Sequence, residues 1–424
     1  MSLDEDIVDI ITDILQSESD QSTLRNLCLV SRIFRSSTQR KIFSELTLCN
    51  RNQEDQEARS TRLSSLRSSL ITNPILITYI RTIHISQRPL EDGTNGDNLW
   101  LDDPALVLLL EELIPTSLQR LRLHSELQAH YIVWEKLNPL LQDVLRRLIS
   151  KPSLQVLSLK RCVFPPGFFA QLELSCLEQM EWVQTRIDLK NSLVIPDQLA
   201  QDNSHPCLST LRLTYGADPS PDPKGDLSAI QHSGLGLISL KYLYVTFDGR
   251  KPFLPQVPQF EQIQELHVEL IDKFETDFGQ SSWQIDPGRY QALRRLSLHH
   301  IFPNDLDTFI AWIANTLQNI PSSHPTLSSI IIGLNFEPAS GLFWDRIKPL
   351  SLQLLRLTQE SNGVLKPSSV VVYVHTRGDD KDDVDLRKLT DFLISDWEEA
   401  VERMVIDVSS SAAAAPWHSI IGKV

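Results

Sequence analysis

The chain has 424 residues, 41% of them apolar, and a formal net charge of −14; it is too long for one growing core, so two domains or one elongated repeat array are expected. The acidic balance argues against a nucleic-acid binder, which needs a basic face. The longest apolar run, Ala105 to Leu110, ends at Glu111-Glu112 and is far too short to span a bilayer. Five cysteines (28, 49, 162, 176 and 207) include no C-x-x-C pair, and the N-terminus is acidic with no apolar leader. Reduced thiols in a cytoplasmic or nuclear protein are the expectation.

At helical period, Leu3, Ile7, Ile10, Ile11, Ile14 and Leu15 fall on one stripe, which predicts an amphipathic helix. Ser2 and Glu5 fit a capping box, and Asp4, Glu5 and Asp6 suit the positive end of the helix dipole. After the polar break SESDQS, a second helix carries Leu24, Leu27, Cys28, Leu29, Val30, Ile33 and Phe34 around most of its circumference. In so small a module such a helix must be covered from more than one side. Its own neighbours are one cover, and the other is either the rest of the chain or another protein. A short third helix ends in Ile42 and Phe43 and leads into a strand-like SELTL.

The order LxxDIxxII, a polar gap, then LxxLxLVSRxF and RKIF resembles the F-box, the helical module that docks an adaptor subunit of a cullin–RING ubiquitin ligase. Leu3 matches the opening Leu of that pattern, Asp6-Ile7 its acidic–aliphatic pair, and Val30, Ser31 and Arg32 its V-C/S-R/K step. Phe34 stands where the family usually has Trp, and Asp4 where it has Pro, so the capping box must supply the helix start. The resemblance implies that Leu3, Ile7, Ile11, Leu24, Val30 and Phe34 face a Skp-type adaptor.

Residues 52–72 read as a polar helix with Leu63, Leu66 and Leu70 on one side, ended by Asn73-Pro74. A six-residue theme, L-x-x-L-x-L, then recurs: IRTIHI from Ile80, LQRLRL from Leu118, LQVLSL from Leu154, LSTLRL from Leu208, LKYLYV from Leu240, IQELHV from Ile263, LRRLSL from Leu293 and LSSIII from Leu327. LEQMEW from Leu177 is a degraded copy, VERMVI from Val401 a candidate last one, and SVVVYV around Val370 a plain strand. Helical patterns at 104–114, 134–149, 305–320 and 384–401 separate copies, with Trp312 and Trp397 on apolar faces; LQLLRL from Leu352 fits strand or helix. Strand, turn and helix in alternation stack into a solenoid with parallel strands inside and helices outside. This resembles the irregular leucine-rich repeats that follow an F-box in many fungal proteins. The Asn or Cys expected three residues after the last Leu is present only as Cys162 and Asn335.

Insertions at 88–104, 215–226, 248–260 and 376–385 are rich in Pro, Gly and Asp and read as surface loops. No phosphate loop, H-E-x-x-H or G-x-S-x-G motif is present, and Gly234-Leu235-Gly236 is a lone turn signal. Alternation sends His299 and His300 to opposite sides of a strand, and Asp379–Asp385 lacks the Gly and terminal Glu of a calcium loop. Arg377-Gly378-Asp379 is an adhesion tripeptide that has no use inside a cell.

The sequence therefore predicts an α/β protein: an F-box-like three-helix domain (1–50), a helical linker (51–76), an irregular leucine-rich-repeat solenoid (77–408) and a fraying tail (409–424). The F-box resemblance implies a non-catalytic substrate receptor of a Skp–cullin–F-box ubiquitin ligase. Its partners would be the adaptor and a protein target, with no cofactor, metal, nucleic acid or membrane. Arg122, Lys160, Arg212, Lys241 and Arg295, in or beside strands, offer a basic strip for the target. The alternative is a repeat scaffold without a ubiquitin role, whose N-terminal helices cap the solenoid and pack Leu29 and Ile33 on the first repeat.

Overall fold

In the computed structural model, the polar–apolar alternation of the repeated theme becomes strands with one buried and one polar face. The structure describes residues 8, 10–12, 14–15, 21–30, 32–51, 54–87, 100–127, 130–188, 208–215, 237, 239–247, 262–270, 286–300, 306–321, 324–336, 350, 353, 357, 370–376 and 405–409. Outside them lie Leu3, Ile7, the capping box, Gly234–Gly236, Arg377, the acidic run, the 384–401 helix with Trp397, the tail after Ser409 and most of each insertion. The fold is mixed α/β on parallel sheet, and the chain separates into two compact units: Met1–Leu208 with Asp226–Gly236, and Ser209–Gly225 with Leu237–Val424.

The first unit begins with helical residues 8, 10–12, 14 and 15, then α1 (Gln21–Val30) and α2 (Arg32–Ile42). Arg40 and Lys41 sit in the last turn of α2, where the dipole favours them. Its sheet pairs β1 (Glu45–Cys49), β2 (Thr82–Gln87), β3 (Arg120–Ser125), β5 (Val156–Lys160) and β7 (Gln179–Val183), all parallel and in that order. A smaller parallel sheet joins β4 (Ile132–Val133), β6 (Cys162–Phe164) and β8 (Arg186–Ile187), which the sequence pattern does not announce.

Parallel neighbours in sequence order require a crossover each time, and three of the four crossovers in this unit's main sheet contain an α-helix. α3 (Gln56–Thr72) with the short α4 (Ile75–Tyr79) bridges β1 to β2, and α5 (Pro104–Glu112) bridges β2 to β3. α6 (Pro139–Ile149) precedes β5. The helix expected at 134–149 is interrupted because Pro139 lacks an N–H; Asn138 caps α6, accepting from Leu140 N at 2.9 Å, and Trp134–Lys136 is a 3-10 turn. The stretch read as a linker does structural work: α3 buries Leu63 and Leu70, packs on α5, and Arg67 donates to Glu112 at 2.8 Å.

In the second unit β9 (Thr210–Tyr215), β10 (Tyr242–Phe247), β11 (Glu265–Leu270), β12 (Arg295–His300), β13 (Ser329–Phe336), β14 (Val370–Thr376) and β15 (Val405–Ser409) pair in parallel in sequence order. α7 (Leu306–Gln318) joins β12 to β13 and buries Phe309, Trp312, Ile313 and Leu317. The two described residues of the LQLLRL run, Gln353 and Leu357, are helical.

One backbone device repeats through both units. The carbonyl of the second residue of a copy accepts two N–H groups from the next copy. Arg81 O accepts from Gln119 and Arg120, Gln119 O from Gln155 and Val156, and Gln155 O from Glu178 and Gln179, all at 2.9–3.0 Å or, for Gln119, 2.8 Å. In the second unit Ser209, Lys241, Gln264 and Arg294 do the same. Ser44 O likewise takes Arg81 N and Thr82 N at 2.8 and 3.0 Å, so FSELTL from Phe43 is the first copy, missed in the sequence because Phe stands for Leu. The buried positions of these strands, such as Leu48, Ile85, Leu123 and Leu159, each contribute roughly 1.5–3 kcal/mol by leaving water.

The missing side-chain ladder is partly present in another form. Cys162 Sγ donates to Leu123 O at 3.4 Å. One repeat on, Thr185 Oγ1 donates to Leu159 O at 3.2 Å and accepts from Cys162 N at 3.3 Å. Thr185 thus stands where Asn or Cys was expected. The corner residues before them, Arg161 and Gln184, both have positive φ (52° and 49°), and Arg161 Nε donates to Gln184 Oε1 at 2.5 Å. Burial pushes the Cys162 thiol far up, so it is a structural, unreactive group. Asn335 lies inside β13 rather than at such a corner.

Candidate functional site

The N-terminal helices hold their interior with few residues. Val8 and Leu24 are buried, and Thr12 Oγ1 and Ser37 Oγ share a buried hydrogen bond of 2.8 Å that ties the first helical residues to α2. Thr38 Oγ1 bonds back to Phe34 O at 2.6 Å. The inward line is therefore Val8 and Thr12, with Ile11 and Leu15 half-buried. Ile10 and Ile14, one turn apart, are 59% and 51% exposed, and Leu29 on α1 is 78% exposed. The stripe read from the sequence was too wide for one buried face, and its excess points outward.

Of the adaptor-facing candidates, Ile11 and Phe34 are half-buried and Leu24 lies in the interior, where it supports the surface without forming it. Val30 ends α1, and its side chain, like Leu3 and Ile7, is outside the described residues. Ile10, Ile14 and Leu29 are exposed apolar residues outside that set of six, although Ile10 and Leu29 fall within the F-box-like pattern.

The second candidate surface is the polar side of the first unit's sheet. His84, Arg122, Ser158 and Glu181 are in register across β2, β3, β5 and β7; Ser86, His124 and Lys160 form the next row. The strand cations expected to make a basic strip meet acidic or aromatic neighbours. Lys160 Nζ lies 2.5 Å from Glu126 Oε2, and Arg122 Nη1 3.5 Å from Glu45 Oε1. In the second unit Arg295 Nη1 is 3.4 Å from Glu265, and the Arg212 guanidinium lies 5.0 Å over the Tyr244 ring. Of the five, Lys241 is exposed and the other four are half-buried. The strip is thus a mosaic of both signs.

The polar face of the second unit's strands carries a ring ladder. Arg212 covers Tyr244, Tyr244 meets His267 at 5.6 Å, and His267 stacks on His299 at 4.5 Å. Gly333 is opposite His299 on β13, and a Cβ there would collide with the imidazole Nδ1. Glycine at that position makes the ladder's end sterically possible.

His124 is the most perturbed titrating group on these faces. Burial, then the neighbouring His84, pushes its imidazole down to about 4. For Glu126 burial acts upward, but the Lys160 hydrogen bond and charge hold the carboxyl below its usual range. Because folded His124 refuses a proton that the unfolded chain accepts below about pH 6.5, its contribution is complete above that pH. It is lost as pH falls toward 4, by about 2 kcal/mol after allowance for partial exposure. Urea unfolding at pH 7 and pH 4.5 should show that loss, and His124→Gln should reduce it.

Neither a family model nor a curated protein sequence matches this chain. Among the described residues no helix is long and apolar enough to cross a membrane.

Proposed function

We propose that this chain is a non-catalytic substrate receptor of a Skp–cullin–F-box ubiquitin ligase, an F-box-like helical head on an irregular leucine-rich-repeat array. The head docks the adaptor, and the array holds a protein target near the charged conjugating enzyme. Acceleration in such an assembly comes from proximity, so no residue here performs chemistry.

The observation that carries the reading is that Ile10, Ile14 and Leu29, in and next to a motif that resembles an adaptor-binding module, each keep an apolar side chain exposed. The repeat part is supported by the two-donor carbonyl at the start of successive strands and by the Cys162–Thr185 ladder. A capping role for the head would place Leu29 against the first repeat, and its exposure weighs against that alternative.

The test is co-purification with a Skp-type adaptor. Leu29→Asp and Val30→Asp should each reduce capture about tenfold or more, since a charge in a desolvated interface is left unpaired. Leu29→Asp should leave the melting temperature within a degree or two, because its site is already wet. Undiminished capture by both variants would sink the assignment.

A further inference from the structure

Two histidines and a glutamate converge on the polar face of the first unit's sheet. His84 on β2 and His124 on β3 are diagonal neighbours, because Ser86 is the residue opposite His124. Their rings meet edge to face with centroids 4.8 Å apart. Glu126, just past β3, brings Oε1 to 3.8 Å from His124 Nδ1. One ligating atom from each of the three lies within 4.8 Å of the other two, and all three residues are half-buried.

We propose that His84, His124 and Glu126 form a site for one divalent transition-metal ion of zinc type, with coordination positions left open on the exposed side of the sheet. Two imidazoles and one carboxylate make a donor set that suits zinc and its neighbours, and three protein ligands leave room for water or a donor from a bound molecule. Donor atoms on a tetrahedral ion about 2.0–2.2 Å away stand roughly 3.3–3.6 Å apart, so side-chain rotations that bring these donors about an ångström nearer one another close the group.

Three further features fit an ion here. His124 Nε2 lies 2.9 Å from Ser158 Oγ, an outer partner that fixes the ring and leaves Nδ1 turned toward Glu126. Ser86, opposite His124 and 1% exposed, has an Oγ with no hydrogen-bond partner among the described residues. Glu126 uses Oε2 for Lys160 and faces His124 with Oε1, so its carboxylate can bridge ammonium and ion. The Lys160 charge opposes a cation, which sets the expected affinity at roughly micromolar rather than nanomolar.

The experiment titrates chelator-treated full-length protein with zinc alone by calorimetry, and with cobalt by absorption spectroscopy. One ion per chain is expected, weakened about tenfold or more in His84→Ala and in His124→Ala, and tightened in Lys160→Gln. Circular dichroism confirms that each variant is folded. Absence of binding in the wild type, unchanged binding in the folded His84→Ala/His124→Ala double variant, or a cobalt–thiolate band marking cysteine ligation would each overturn the proposal.

Discussion

Phe164→Ala should lower the unfolding free energy of the first unit by about 3–5 kcal/mol, the cost of deleting a buried aromatic ring and leaving its cavity. Phe164 lies at the centre of a cluster in which its ring is 4.7 Å from Phe168, 5.5 Å from Trp134 and Phe169, and 6.5 Å from Trp182. The cluster occupies the stretch where the crossover from β5 to β7 has only a 3-10 turn, Phe169–Gln171, and no α-helix. Aromatic rings there do the covering that helices do between other strands of this unit, and rigid rings relax poorly into a cavity. Urea unfolding followed by near-ultraviolet circular dichroism measures the loss. Phe164→Leu should lose less than half as much, and a loss under about 1 kcal/mol for the alanine variant would contradict this packing.

Asp103→Ala should cost a similar amount through electrostatics. Its carboxylate is fully buried; Oδ2 accepts from Ser60 Oγ at 2.7 Å and from Arg59 Nε at 3.3 Å, while Oδ1 accepts from Ala105 N at 2.9 Å and caps α5. Removing it strands a guanidinium that is itself only 10% exposed, an effect of about 3–5 kcal/mol that includes roughly 1 kcal/mol for the lost cap. Asp103→Asn keeps the cap and should cost less. Adding Arg59→Met to Asp103→Ala should recover part of the loss, because the stranded charge is then gone. A double variant no more stable than Asp103→Ala alone would assign the damage to packing instead.

Much of the array was legible because a strand's alternation survives in the sequence: Leu121, Leu157, Leu211, Leu243, Leu266 and Leu296 all fall in copies of the theme, and all are buried. Even the degraded copy LEQMEW forms β7, with Met180 and Trp182 inside. Two-residue strands such as Ile132–Val133 and Arg186–Ile187 are too short to carry a period. The ladder role of Thr185 was hidden because a hydroxyl replaces the expected amide or thiol.

The candidate site was less legible for a different reason. A helical wheel cannot decide which of two adjacent apolar edges is covered, so Ile10 and Ile14 were counted with Ile11 although the structure turns them outward. The His84–His124 pairing needs the strand register: each residue is unremarkable in its own copy, and only the pairing of Ser86 with His124 makes them diagonal neighbours. A comparison of polar positions between successive copies would have found it.

Docking through the helical head is tested most directly by amide hydrogen exchange across residues 8–34, measured with and without a Skp-type adaptor. Slower exchange at Ile10 to Ile14 and along Leu24 to Phe34, present only when the adaptor is added, is the expected result. Equal rates in both samples, or protection confined to the strands, would contradict a head that receives a foreign subunit.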